Sequence, residues 1–255
     1  MPATSVSSPA TVNRWQYLLK VTQLSLHCGV CIAVLLTLPL HKRYMPQLSA
    51  WWYQRLLVIL NVQLNIQGTP PNKTVLVVSN HISWVDIVIF GSLLRPAFVS
   101  KAEVAKWPVV GPIARATGTV FLPRGAFKTS ETSDTLAASL KHGRNVVLFP
   151  EATTSDAAIP HRFHARMFAA ALDHSYPVQP IALRYLPENK TDVGNHPWAP
   201  WIDDAGLGGH LKKLLRLKEL RVAVIFCPVI SPDGHDRRGL AQASHSAITT
   251  ALNQN

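Results

Sequence analysis

The chain has 255 residues, 47% of them apolar, which allows one α/β domain plus an appendage. Charged residues reach only 15%, against roughly 25% in soluble domains, and this shortfall leans toward membrane association. The formal net charge of +11 favours an anionic partner; no RNP, zinc-finger or GXXG signature supports nucleic acid, and three cysteines exclude a disulfide framework.

Met1 to Asn13, rich in Ser, Thr, Pro and Ala, reads as a disordered tail. Val21 to Leu40 is nearly uncharged and, at 20 residues, matches the length that crosses a bilayer core. Pro39 is expected to end this helix. The basic and aromatic flank His41-Lys42-Arg43-Tyr44 follows and keeps the rest of the chain on the cytoplasmic side. Trp51 to Leu60 is amphipathic and opens on aromatic residues. Either the first helix spans and the second lies in the interface, or both form a shallow hairpin in one leaflet. A cleaved signal peptide fits less well, because the apolar run is too long and no A-x-A site follows. Cys28 and Cys31 have redox or metal spacing, but inside this stretch they read as small apolar residues of a membrane helix.

Gly68 to Asn72 is a turn cluster and marks the expected boundary, with residues 1–66 as tail and anchor and 67–255 as the main domain. After it, Thr74–Ser79, Ala97–Lys101, Thr119–Leu122, Asn145–Phe149, Val178–Arg184 and Arg221–Phe226 read as strands. Ile82–Leu94, Lys128–His142, His161–Ser175 and Arg237–Leu252 read as helices. Continuous apolar strands between helices predict a mixed, mostly buried sheet flanked by helices.

The chemistry-bearing residues fall at strand ends. His81 and Asp86 follow the strand ending at Ser79. Five residues apart on one helix they would be about 140° apart, so they meet only if His81 lies in the turn and Asp86 in the first helical turn. A carboxylate on an imidazole fixes its tautomer and makes it a general base. The competing reading is a capping box, Ser83-x-x-Asp86, with His81 a turn residue. Glu151, Thr153, Thr154 and Ser155 follow the strand NVVLF, where α/β sheets bind ligands; an ordinary polar loop is the alternative. Arg124 closes another strand and suits a phosphate, or is a solvated charge. His161 and His164, at i, i+3, lack a third metal ligand and read as a helix surface. Lys212, Lys213, Arg216, Lys218 and Arg221 form a basic stretch that suits lipid head groups, an acidic carrier or solvent. No G-x-S-x-G elbow supports a serine hydrolase.

Four of these segments, in order, resemble the glycerolipid acyltransferase family. Its pattern is N-H-x4-D, G-x-x-F-x-x-R, F-P-E-G-T-x-S and a Val-Pro-rich strand. Here these are Asn80-His81 with Asp86; Gly118, Phe121 and Arg124; Phe149 to Ser155; and Val178-Gln179-Pro180-Ile181-Ala182. The resemblance covers roughly residues 62 to 230. It implies an O-acyltransferase moving a fatty acyl group from acyl-CoA or acyl carrier protein to the hydroxyl of a membrane lysolipid, without metal or cofactor. Its setting would be the inner membrane, with the catalytic domain cytoplasmic. It implies His81 as base and Asp86 as its partner, Arg124 at a phosphate or head group, and Glu151 with Thr153, Thr154 and Ser155 at the acceptor. 1-Acyl-sn-glycerol-3-phosphate, giving phosphatidic acid, is the expected acceptor. Two departures bear on this. Ala152 replaces the usual Gly, so a positive φ there would be strained. Thr154 stands where many members carry Arg, and the reading T-T-S-D is reminiscent of relatives acting on lyso-ornithine lipid. A catalytically silent lipid-binding protein is the rival of another class.

Overall fold

The computed structural model describes residues 9–37, 44–107, 110–123, 130–156, 159–188, 195–202 and 206–254. Helix α1 (Arg14–Leu36) opens on a capping box in which the side chains of Asn13 and Gln16 each accept the other's backbone N–H. Helix α2 (Met45–Leu60) lies against α1 and runs directly into strand β1 (Val62–Gln67) through Asn61, which takes φ +56°. Then follow β2 (Leu76–Ser79), α3 (Val85–Leu94), β3 (Ala97–Lys101), a 3-10 turn (Ala102–Lys106), α4 (Val110–Ala116), β4 (Val120–Leu122), α5 (Ser130–Lys141) and β5 (Val146–Leu148). A second 3-10 turn (Ala165–Phe168), α6 (Ala169–Asp173), β6 (Val178–Leu186), α7 (Leu207–Arg216), β7 (Leu220–Phe226) and α8 (Arg237–Gln254) complete the order.

The strands form a sheet in the order β1-β7-β6-β2-β5-β3-β4. All pairs are parallel except β6 with β7, which is antiparallel, so the sheet is mixed as expected. Side chains alternate across it. Val75, Val77, Val147, Leu183 and Val222 face α2, α3 and α7 on one side. Leu76, Val78, Val146, Leu148 and Ala223 face α5, α6 and α8 on the other. Both faces are covered, which is why β5 is apolar throughout and β2 is apolar up to Ser79.

Three expectations differ from the fold. The boundary at residues 66 and 67 falls inside β1, which pairs with β7; its alternating VQLNIQ puts polar residues outward at the sheet edge and hid it behind the preceding apolar helix. Ala10 to Asn13, expected in a disordered tail, are held on the domain: the Val12 N–H donates to the Arg216 carbonyl and Lys218 N–H to the Ala10 carbonyl. Residues 161–164 are extended rather than helical, because the His161 N–H is drawn to Glu151 and the His164 N–H to the Pro150 carbonyl.

Helix α1 starts earlier than the predicted apolar run and is the one described helix long and apolar enough to cross a membrane. Tyr17, Val21 and Leu24 rest on the core, and His27 and Cys31 are buried. Trp15, Leu18, Leu19, Leu26 and Leu36 form the opposite, exposed stripe, with Trp15 80% exposed. Helix α2 is less free than an interfacial helix: Tyr53, Leu56, Leu57, Ile59 and Leu60 are buried, mostly against α3. His41, Lys42 and Arg43, with Pro39, lie outside the described residues.

Candidate active site

Strands β2 and β5 are adjacent and parallel, and their C-terminal ends open side by side. Beyond Ser79 the chain leaves the sheet. The Asn80 side chain takes the place of the next ladder rung: its amide donates to the Leu183 carbonyl and its oxygen accepts the Leu183 N–H, each at 2.8 Å. This anchors the turn that holds His81, and α3 starts four residues later.

His81 lies in that turn and Asp86 in the first turn of α3, so the two meet as the spacing requires. The His81 Nδ1–H donates to Asp86 Oδ2 at 2.8 Å. The same oxygen accepts the backbone N–H groups of Ile82 at 2.8 Å and Ser83 at 2.9 Å. Asp86 therefore holds both the imidazole and the backbone that leads into α3; of the capping box only the Asp86 half forms, because the Asp86 N–H goes to the Ser83 carbonyl and not to its hydroxyl. Asp86 is fully buried, whereas the His81 side chain keeps 15% of its surface exposed. The ring stacks on Phe149 at 3.9 Å between centroids and 16° between planes. With Nδ1–H committed to Asp86, the lone pair resides on Nε2, where it can accept a proton.

Glu151 reaches the same turn from the end of β5. Its Oε1 accepts the His81 N–H at 2.8 Å and its Oε2 the His161 N–H at 2.7 Å. Burial pushes its carboxyl up, and the two N–H donors oppose that shift. Both oxygens thus serve the protein's own backbone. Ser155 is buried and its N–H donates to the His81 carbonyl at 2.9 Å. The Thr154 hydroxyl donates to the Trp201 carbonyl, and the Trp201 N–H in turn donates to the Ile82 carbonyl. Thr153 is exposed. Ala152 takes φ +61°, so the left-handed conformation that a glycine would hold freely is kept here with a Cβ. The structure brings His81, Asp86, Glu151, Thr154 and Ser155 together; Arg124 lies outside the described residues.

Sequence reasoning missed two contributors. Tyr185, near the end of β6, donates its hydroxyl to Asp86 Oδ1 at 2.6 Å. His210 of α7 accepts the Trp84 indole N–H on Nδ1 at 2.9 Å and donates from Nε2 to the Trp198 carbonyl at 3.1 Å. An indole can only donate, so His210 is the neutral Nε2–H tautomer. Neither pairing has a local sequence signal, since each joins segments about a hundred residues or more apart.

Fold and site together define a class: an α/β enzyme with an imidazole held by a carboxylate at its strand ends, an arrangement that can serve as a general base. The Acyltransferase family model matches residues 61–184. A lyso-ornithine lipid O-acyltransferase of Pseudomonas aeruginosa is 37% identical over 214 residues, covering 84% of this chain and 80% of that protein. A 1-acyl-sn-glycerol-3-phosphate acyltransferase of Neisseria gonorrhoeae is 32% identical over 200 residues, covering 77% of each chain. The chain belongs to the acyltransferase family. Its fold is that of the 1-acyl-sn-glycerophosphate acyltransferase PlsC of Thermotoga maritima, with a TM-score of 0.69, 18% identity and 95% of both chains covered.

Proposed function

We propose that this protein transfers a fatty acyl group from a thioester, acyl-CoA or acyl carrier protein, to a free hydroxyl of a lysolipid at a membrane face. The observation that carries this is the His81–Asp86 pair, with its Nε2 lone pair left for substrate. His81 Nε2 takes the hydroxyl proton as the oxygen attacks the thioester carbonyl. The C–O bond forms, the tetrahedral oxyanion collapses, the C–S bond breaks, and the imidazolium returns its proton to the departing sulfur. A thioester is already activated, so the step needs neither a covalent enzyme intermediate nor a metal. Glu151 and Ser155 hold the turn, Thr153 and Thr154 are assigned to the acceptor, and so is Arg124 by the family pattern alone.

The lead acceptor is 1-acyl-sn-glycerol-3-phosphate, giving phosphatidic acid. Lyso-ornithine lipid is a second reading favoured by two observations. Thr154 adds no cation where a phosphate would need one, and its hydroxyl is spent on the Trp201 carbonyl. Relatives named for that acceptor match 84% of the chain at 37% and 31% identity. The outward stripe of α1, with its inward face on α2 and the domain, supports a hairpin entering one leaflet. The basic residues 41–43 and the net charge of +11 support the cytoplasmic face of an inner membrane.

The test incubates the detergent-purified protein with labelled acyl-CoA or acyl carrier protein and a panel of lysolipids. A labelled two-chain lipid is expected, and its head group names the acceptor. Absence of transfer to every lysolipid, with lipid binding intact, would instead establish a silent lipid-binding protein.

A further inference from the structure

Asp86 carries two oxygens with unequal loads. Oδ2 accepts three N–H groups, from the His81 ring, Ile82 and Ser83. Oδ1 accepts the Tyr185 hydroxyl at 2.6 Å, the short distance of a hydrogen bond to a charged acceptor. The placement of this phenol follows from the ladder. β2 pairs with β6 as far as Ser79 and Ile181, and Asn80 continues the pairing to Leu183 by its side chain. Tyr185 comes two residues later, so it shares the face of Leu183 and points at the first turn of α3. Its backbone is fixed as well: the Tyr185 N–H donates to Asn195 Oδ1 and its carbonyl accepts the His196 N–H. The side chain is fully buried. Burial and the neighbouring Asp86 charge hold the phenol well above its ordinary range, so it stays protonated and acts as the donor.

We infer that Tyr185 is a positioning residue for acyl transfer, locking the Asp86 carboxylate so that Oδ2 stays on His81 and Nε2 keeps its lone pair toward the substrate. This rests on His81 being the base. Without the phenol, Oδ1 loses its hydroxyl donor in a buried layer, and the carboxylate is free to rotate away from the imidazole toward another partner such as the buried Ser83 hydroxyl. The titratable groups that meet the His81 turn are Asp86, Tyr185 behind it, and Glu151 through the His81 N–H, with the backbone of His161 on the other Glu151 oxygen.

The experiment compares wild type, Tyr185→Phe, Asp86→Asn, the double variant and His81→Ala in one thiol-release assay, with melting curves. Tyr185→Phe keeps the ring and removes one hydroxyl. Its kcat is expected to fall about tenfold to a hundredfold, the span of one charge-assisted hydrogen bond, with both KM values within about twofold. In the Asp86→Asn background the same change should cost less than about twofold, since the two residues act as one unit. If Tyr185→Phe unfolds, 3-fluorotyrosine at position 185, a stronger donor of nearly the same shape, takes its place, and its change in kcat should disappear in the Asp86→Asn background. Unchanged kcat, or equal losses in both backgrounds, would reduce Tyr185 to a core residue that borrows Asp86 as its partner. A His81→Ala variant that turns over normally would remove the base itself, an outcome distinct from a silent Tyr185→Phe beside a dead His81→Ala.

Discussion

One carboxylate performs two jobs at the head of α3, and substitutions there separate chemistry from fold. His81→Ala removes a partly exposed ring and leaves Asp86 with two backbone N–H donors, so the fold should survive while kcat falls by about 100- to 10,000-fold. Asp86→Asn should be as severe, because an amide in place of Oδ2 would no longer stabilise the imidazolium; near-normal turnover in either variant defeats the mechanism. Ala152 tells the opposite story. Its φ of +61° costs about 1 kcal/mol, and Ala152→Gly relieves this against a smaller entropic loss, so the melting temperature should hold or rise slightly. His210 sets a pH limit on stability. Burial lowers its pKa in the fold from the ordinary 6.5, so the unfolded chain binds a proton that the native state refuses. Stability is therefore full above the ordinary value and lost as pH falls below it toward the folded value. His196, lowered by burial too, adds to the same slope. His210→Gln should flatten the fall in melting temperature below about pH 6.5; an unchanged slope would assign it wholly to other groups.

Elements that declare themselves by local pattern were the legible ones. β3 falls on its expected bounds and β7 starts one residue early, because short apolar runs bounded by turn signals leave little choice. The His81 turn was legible for the same reason, a strand followed by Asn and Ser and then an apolar helix. What was not legible depends on distant partners or on ambiguous punctuation. α4, which no expected helix covered, carries Gly111 and Pro112 in its first turn, where proline is welcome. Residues 161–164 look helical but serve as acceptor-seeking backbone for Glu151 and Pro150. α2 looked like a helix waiting for lipid, yet Gly91 of α3 lets it approach until a Cβ at that position would overlap the Tyr53 ring. Gly91→Ala should therefore destabilise by about 1–3 kcal/mol, despite the roughly 1 kcal/mol that alanine gains in an unhindered helix. Thermal melts decide it, and Tyr53→Leu should restore part of the loss by vacating the space.

At the scale of the whole molecule, α1 must satisfy two surroundings at once. Its inward face is protein: Tyr17, Val21 and Leu24 lie on the core, Lys20 Nζ donates to the Leu217 carbonyl at 2.8 Å, and the Arg216 guanidinium stands 5.6 Å over the Tyr17 ring. Its outward face exposes Trp15, Leu18, Leu19, Leu26 and Leu36, side chains each worth about 1.5–3 kcal/mol when fully removed from water. We expect α1, docked along one side, to press its other side into one leaflet, with Lys212, Lys213 and Arg216 of α7 available to head groups. The paired change Leu19→Glu and Leu26→Glu tests this without touching the packed face. It should move most of the protein from the membrane pellet to a detergent-free supernatant with an unchanged melting curve. Turnover on a detergent-dispersed lysolipid should survive, and turnover on lysolipid embedded in vesicles should fall at least about tenfold, since two charges in the contact face each cost more than 1 kcal/mol. Retention of the variant in the pellet would mean that α1 is not the element that holds the protein to lipid.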